Sequence, residues 1–217
     1  MDKKKIVIAV INGHGKQVKG KYSPKLSQDM NIPSIFVEDG RFKEWKYTRV
    51  IAQDIVTMFE ARGYNARLIV PEDDDVSLSA RVNRVNKLCK EYGAGNVLLL
   101  EIHANANGSG NSWDSGNGWE LFTTVGVTKS DALGECIYKQ AVKNFKGKAI
   151  RKDTRDGDMD KEKNFYVIKN VKCPAILSEN FFYTNKKDLE YMCSELGLFE
   201  VERVHVEGTI DYLNSLK

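Results

Sequence analysis

The chain has 217 residues, 41% hydrophobic and 29% charged, which suffices for one sizeable core; its 17 glycines and 4 prolines exclude collagen-like, proline-rich and disordered classes. Lysine and arginine total 33 against 30 acids, so the net charge of +3 supplies no single-sign field that would imply nucleic acid as a partner. Only three histidines are present, His14, His103 and His205.

From the amino terminus, Met1-Asp2-Lys3-Lys4-Lys5 leads into an apolar run that ends at Ile11, too short for a signal-peptide core and followed by no small-residue cleavage site. Residues 5–11 therefore read as a first β-strand. The polar stretch 13–42 is longer than an ordinary connection. A helix is predicted over 44–62, with Val50, Ile51, Ile55, Met58 and Phe59 on one stripe and Gly63 as its left-handed stop. A strand follows at 65–70, and the acid run Glu72-Asp73-Asp74-Asp75 after Pro71 reads as a solvated loop. The stripe Val82, Val85 and Leu88 predicts a helix over 78–92 ended by Gly93. Residues 97–103 form the next strand, and the loop 104–118 that follows holds several asparagines and glycines. A helix over 130–145 opens with Ser130 as N-cap; then come a charged stretch, 146–164, a strand, 175–178, and a last helix, 198–216. Such alternation predicts an α/β fold: one domain, residues 1–217, with a mostly parallel twisted sheet of about six strands flanked by helices on both faces.

No run approaches the roughly 18 apolar residues of a membrane span. The four cysteines, Cys89, Cys136, Cys173 and Cys193, form no C-x-x-C pair, which excludes a zinc ribbon or a dithiol redox motif and predicts buried reduced thiols. Synthesis in the cytoplasm without a signal peptide is the expectation.

His14 and His103 each stand at the carboxyl end of an apolar strand, where open α/β sheets bind ligands. One such histidine is more often a satisfied polar residue at a loop entrance; two at equivalent places suggest metal ligation. A catalytic zinc needs three protein ligands and an open position, and two histidines with one carboxylate are a common set. Glu44 opens the helix after the long 16–43 insertion, a place that also suits a simple first-turn charge, and Glu38 and Asp39 compete with it. Glu179 ends the strand 175–178, where proton transfer and plain solvation are both open. His205 lies within a helix pattern, as a surface or partly buried side chain, and receives no role. Gly13-His14-Gly15-Lys16 lacks the phosphate-loop spacing.

The ordered set Gly13-His14-Gly15, Glu44, Ile102-His103-Ala104-Asn105-Ala106 and Leu177-Ser178-Glu179-Asn180-Phe181, with Gly118-Trp119-Glu120 between, spans nearly the whole chain. It resembles the zinc-dependent N-acetylmuramoyl-L-alanine amidases of the type 3 catalytic domain, a family that includes phage and prophage endolysins. The resemblance implies that His14, Glu44 and His103 bind Zn2+, that Glu179 is the catalytic carboxylate, and that Asn105 and Asn180 face substrate. The implied substrate is bacterial peptidoglycan, cut at the amide between N-acetylmuramic acid and L-alanine by a monomer that acts on the wall after release. Asn12 stands where the family usually has proline, and its side-chain carbonyl is the candidate support for His14. A zinc peptidase or deacylase on another amide, and a silent wall-binding module, are the competing functions.

Overall fold

The computed structural model describes residues 2–155 and 157–216. The first strand, β1 (Val7–Asn12), is buried along its whole length, as its near-continuous apolar run requires of a central parallel strand. The 13–42 stretch carries a small hairpin, β2 (Val37–Glu38) and β3 (Arg41–Phe42), and then come α1 (Glu44–Ala61), β4 (Asn65–Leu68), α2 (Leu78–Tyr92) and β5 (Val97–Asn105). After them lie β6 (Glu120–Thr123), α3 (Lys129–Asn144), β7 (Lys161–Glu162), α4 (Tyr166–Asn170), β8 (Ala175–Phe182), α5 (Lys186–Met192) and α6 (Glu195–Ser215).

The six-stranded sheet runs in the order β4-β1-β5-β8-β6-β7 and is parallel except where β6 meets β8. Alternation along the strands divides the core. Ile8, Val10, Leu100, Ile102 and Ile176 pack under α1, α3 and α6, while Val7, Ala9, Leu99 and Leu177 face α2 and α4. The predicted α/β sheet with helices on both faces is the observed one.

Several local expectations change. The α3 N-cap is Thr128, which forms a capping box with Asp131, whereas Ser130 sits inside the helix and its hydroxyl accepts the Ala175 N–H at 3.0 Å. Helix α6 starts earlier than 198, because Ser194 caps it through the Gly197 N–H. The acid run is exposed loop, as expected, and is also partnered: Asp75 accepts the Gly15 N–H at 3.0 Å and pairs with Arg81 at 3.2 Å, and Gln17 bonds Asp74. Arg84 holds Glu72 at 2.6 Å, which lowers that carboxyl to about 2. The 146–164 stretch is pinned by β7 and by Asp160, buried against the Thr123 hydroxyl at 2.5 Å. Cys89, Cys173 and Cys193 are buried free thiols, and Cys136 is half-buried.

His205 differs most from expectation, for it is fully buried on α6. Its Nδ1–H donates to the Val201 carbonyl at 2.7 Å, and its Nε2 lies 2.8 Å from the Ser178 hydroxyl, from which it accepts in the neutral form, so both ring nitrogens are partnered without a charge. Burial, partly offset by the Val201 carbonyl, lowers its pKa from 6.5 to about 4. The unfolded chain binds this proton below about pH 6.5 and the folded chain does not, so stability is complete above that pH and falls as pH drops toward 4. Denaturant unfolding at about pH 7.5 and pH 4.5 should show about 2 to 3 kcal/mol less acid destabilisation in His205→Gln than in the parent. Equal pH dependence in the two proteins would contradict this account.

Candidate active site

Parallel pairing of β1 with β5 aligns Asn12 with Ile102 and so brings the loop after β1 beside His103. The two imidazoles meet edge to face with centroids 5.1 Å apart. Glycine on each side of His14 has a packing cause. A Cβ on Gly13 would lie 2.9 Å from His103 Nδ1, and one on Gly15 would lie 2.2 Å from the Asp75 backbone. The long insertion then delivers Glu44. Phe36 and Phe42 are buried against Tyr47, anchoring the hairpin, and the Lys21 carbonyl accepts the Glu44 N–H at 3.1 Å at the start of α1.

Glu44 is 1% exposed, so it is not a solvated first-turn charge. Its Oε1 accepts the Ala104 N–H at 3.2 Å and lies 3.2 Å from His103 Nδ1; its Oε2 lies 3.8 Å from His14 Nε2 and 4.0 Å from the Lys21 ammonium. Ligand atoms of His14, Glu44 and His103 all fall within 4.8 Å of one another. Glu38 is directed elsewhere, 3.9 Å from Lys46, and Asp39 occupies the hairpin turn at φ 52°.

Strand register supplies the remaining acids. His103 is opposite Glu179, and Glu179 is opposite Glu120, so these three side chains cross β5, β8 and β6 in one row. Glu101, two residues before His103 and thus on the same strand face, places Oε1 3.3 Å from His103 Nε2. Sequence reasoning missed Glu101, although one acid inside the run Leu98-Leu99-Leu100-Glu101-Ile102 was a visible signal. A carboxylate that takes the proton of one ring nitrogen fixes the tautomer: with Glu101 engaging Nε2, Nδ1 is the nitrogen of His103 left for a metal.

Asn180 is corrected. It is fully buried, with Nδ2 donating to the His103 carbonyl at 2.9 Å and Oδ1 accepting from Trp119 Nε1 at 2.8 Å, so it braces the site from behind and has no surface for substrate. Asn105 is half-buried and both ends of its amide are engaged, by Glu120 at 2.7 Å and by the Ala106 N–H at 2.8 Å. Asn12 is corrected too: with its amide turned to satisfy both ends, it donates to the Val70 carbonyl at 2.7 Å and accepts from Arg49 at 3.3 Å, leaving His14 unsupported by it.

Burial and mutual interaction shift the titratable groups of the site strongly. Burial lowers the pKa of His14 to about 4 despite Glu44. Burial also opposes charge on His103, yet its bonds to Glu101 and Glu44 prevail and push it up to about 10. Burial raises Glu179 to about 8, with His103 acting against that and Glu44 adding to it. Glu44 Oε2, Glu101 Oε2 and Glu179 Oε2 are buried and without hydrogen-bond partners among the described residues. Three carboxylates with orphaned oxygens around two imidazoles suit a divalent ion bound by nitrogen and oxygen, and the set matches zinc.

A family model described as N-acetylmuramoyl-L-alanine amidase (Amidase_3) matches residues 8–208. The chain belongs to that amidase family. Among curated relatives, it is 33% identical over 164 residues to the N-acetylmuramoyl-L-alanine amidase LytC of Bacillus subtilis (strain 168), covering 75% of this chain and 29% of LytC. The endolysin of Bacillus phage SPP1 is 24% identical over 175 residues, covering 81% of this chain and 60% of the endolysin. The chain thus spans less than two thirds of either relative. A crystal structure of N-acetylmuramoyl-L-alanine amidase from Clostridium difficile 630 superposes with a TM-score of 0.73 at 22% identity, over 99% of this chain and all of that one, and so shares the fold. No helix among the described residues is long and apolar enough to cross a membrane.

Proposed function

We propose that this amidase-family chain, residues 1–217 acting as one catalytic domain and as a monomer, is a zinc-dependent hydrolase of bacterial peptidoglycan. Its bond is the amide between the lactyl group of N-acetylmuramic acid and L-alanine. The observation that carries the proposal is the convergence of His14, Glu44 and His103 within 4.8 Å, with Glu179 in register beside His103.

His14, Glu44 and His103 would hold the metal, and Glu101 would keep His103 in the tautomer that leaves Nδ1 free to bind. When bound, zinc supplies a Lewis acid for the amide carbonyl and acidifies water. Glu179, one strand over, accepts a proton from the attacking water at its unpartnered Oε2 and returns it to the departing amine nitrogen. The water oxygen joins the carbonyl carbon, the carbon–nitrogen bond breaks, and the products are a lactyl carboxylic acid and a free L-alanine amine. Asn180 and Ser178 keep this geometry rigid through the His103 carbonyl and His205. Action on the wall agrees with the endolysin relative.

Zinc-loaded protein incubated with purified peptidoglycan tests the reading by mass analysis of the released fragments. Free lactyl acid ends paired with new L-alanine amino termini are expected. Cleavage inside the stem would make the chain a peptidase, acetate release a deacylase, and binding without release a wall-binding module.

A further inference from the structure

The row His103, Glu179, Glu120 continues past the reacting groups into a pair of cations. Glu120 Oε2 accepts from Arg151 Nε at 2.7 Å and from the Lys161 ammonium at 2.6 Å, while its Oε1 accepts from Asn105. One carboxylate thus faces two cations, and a positive charge is left over one strand from Glu179. Arg151 is held there by its backbone: its N–H donates to the Trp119 carbonyl at 2.9 Å, and its own carbonyl accepts the Tyr138 hydroxyl at 2.9 Å. The Arg151 guanidinium also lies over the Phe182 ring, 5.2 Å from the centroid, which restricts the plane of the fork. Only Nε of that fork is engaged; the two terminal nitrogens make no hydrogen bond among the described residues, and the side chain is 42% exposed.

A guanidinium oriented by a buried acid, stacked on a ring and open at its terminal nitrogens matches a carboxylate bidentately. We infer that Arg151, positioned by Glu120 and assisted by Lys161, is a specificity residue that binds a carboxylate of the peptide stem on the leaving-amine side of the scissile bond. This inference rests on the amidase reading above. A simple surface ion pair would need neither the second cation nor the backbone anchoring, and it would not fall in register with Glu179.

The test uses two soluble muramoyl dipeptides that differ only in whether the residue after L-alanine ends in a free carboxylate or a carboxamide. The zinc-loaded parent should cleave the acid with kcat/KM about tenfold above the amide, and Arg151→Gln should bring that ratio to about one, the change lying in KM. Arg151→Lys, which keeps the charge and loses the fork, should give an intermediate ratio. Equilibrium binding of the same two peptides to zinc-loaded Glu179→Gln protein should show the same preference without turnover. A parent that prefers neither peptide, or a folded Arg151→Gln protein that keeps the preference, would overturn the inference while leaving the amidase reading intact. Failure of the parent to cleave either peptide counts against that reading instead, and the binding ratio then decides the fate of the carboxylate site.

Discussion

Glu179→Ala is expected to keep zinc near parental stoichiometry and to lower kcat/KM for peptidoglycan fragments by about a thousandfold or more. Glu179 lies beside the proposed ligand set without belonging to it: register aligns it with His103, but the converging donor atoms come from His14, Glu44 and His103. A general base contributes on the order of 100- to 10,000-fold, and in the proposed mechanism one carboxyl both takes the proton from water and gives it to the amine, so its loss should reach the upper part of that range. The site also suits the task electrostatically. Burial and then Glu44 hold the Glu179 carboxyl near 8 against the pull of His103, and a divalent cation alongside lowers it toward the working pH. Fragment release by mass spectrometry, with metal content measured on the same preparation, checks both halves. An alanine variant that retained a tenth of parental kcat would remove Glu179 from the proton transfer. One that lost zinc as well would make it a ligand.

Much of this arrangement was legible because strand-end chemistry follows the hydrophobic pattern. The run before Asn12 and the run before His103 are apolar enough to be central parallel strands, and parallel neighbours end on the same edge, so the convergence of His14 and His103 follows from periodicity. Glu44 was not singled out by position, because a helix start suits a first-turn charge equally well; the family resemblance is what set it ahead of Glu38 and Asp39. What stayed hidden depends on pairing across long separations. Nothing local shows that β6 inserts beside β8 in the antiparallel sense, and only that pairing aligns Glu120 with Glu179 and brings Arg151 alongside. Asn180 failed for a related reason: alternation turns it away from the Glu179 face and into the core, where Trp119 and the His103 carbonyl claim its amide. The acid run is the solvated loop its composition predicts, and only its partners were hidden: Arg81 and Arg84 from α2 and the backbone of the His14 loop come from elsewhere in the chain.

Glu44→Gln is expected to weaken zinc binding by more than a hundredfold, whereas Glu38→Gln should leave it unchanged. Changes to groups behind a ligand typically cost about 10- to 100-fold in metal affinity, and removing the charge of a ligand itself should exceed that. The amide is nearly isosteric and keeps an oxygen for the Ala104 N–H, so helix α1 and the end of β5 remain joined and the effect is confined to charge and donor strength. Glu38 is the matched control, because it comes from the same insertion but reaches only the Lys46 ammonium at 3.9 Å, where a partly exposed pair contributes little. Chelator competition on both purified variants, alongside their thermal midpoints, gives the comparison. Undiminished zinc in a folded Glu44→Gln protein would show that the buried carboxylate serves the fold through Ala104 and His103 and that the third ligand lies elsewhere. Zinc loss in Glu38→Gln would mean that the hairpin turns its acid inward when metal binds, which the buried Phe36 and Phe42 on either side of it should prevent.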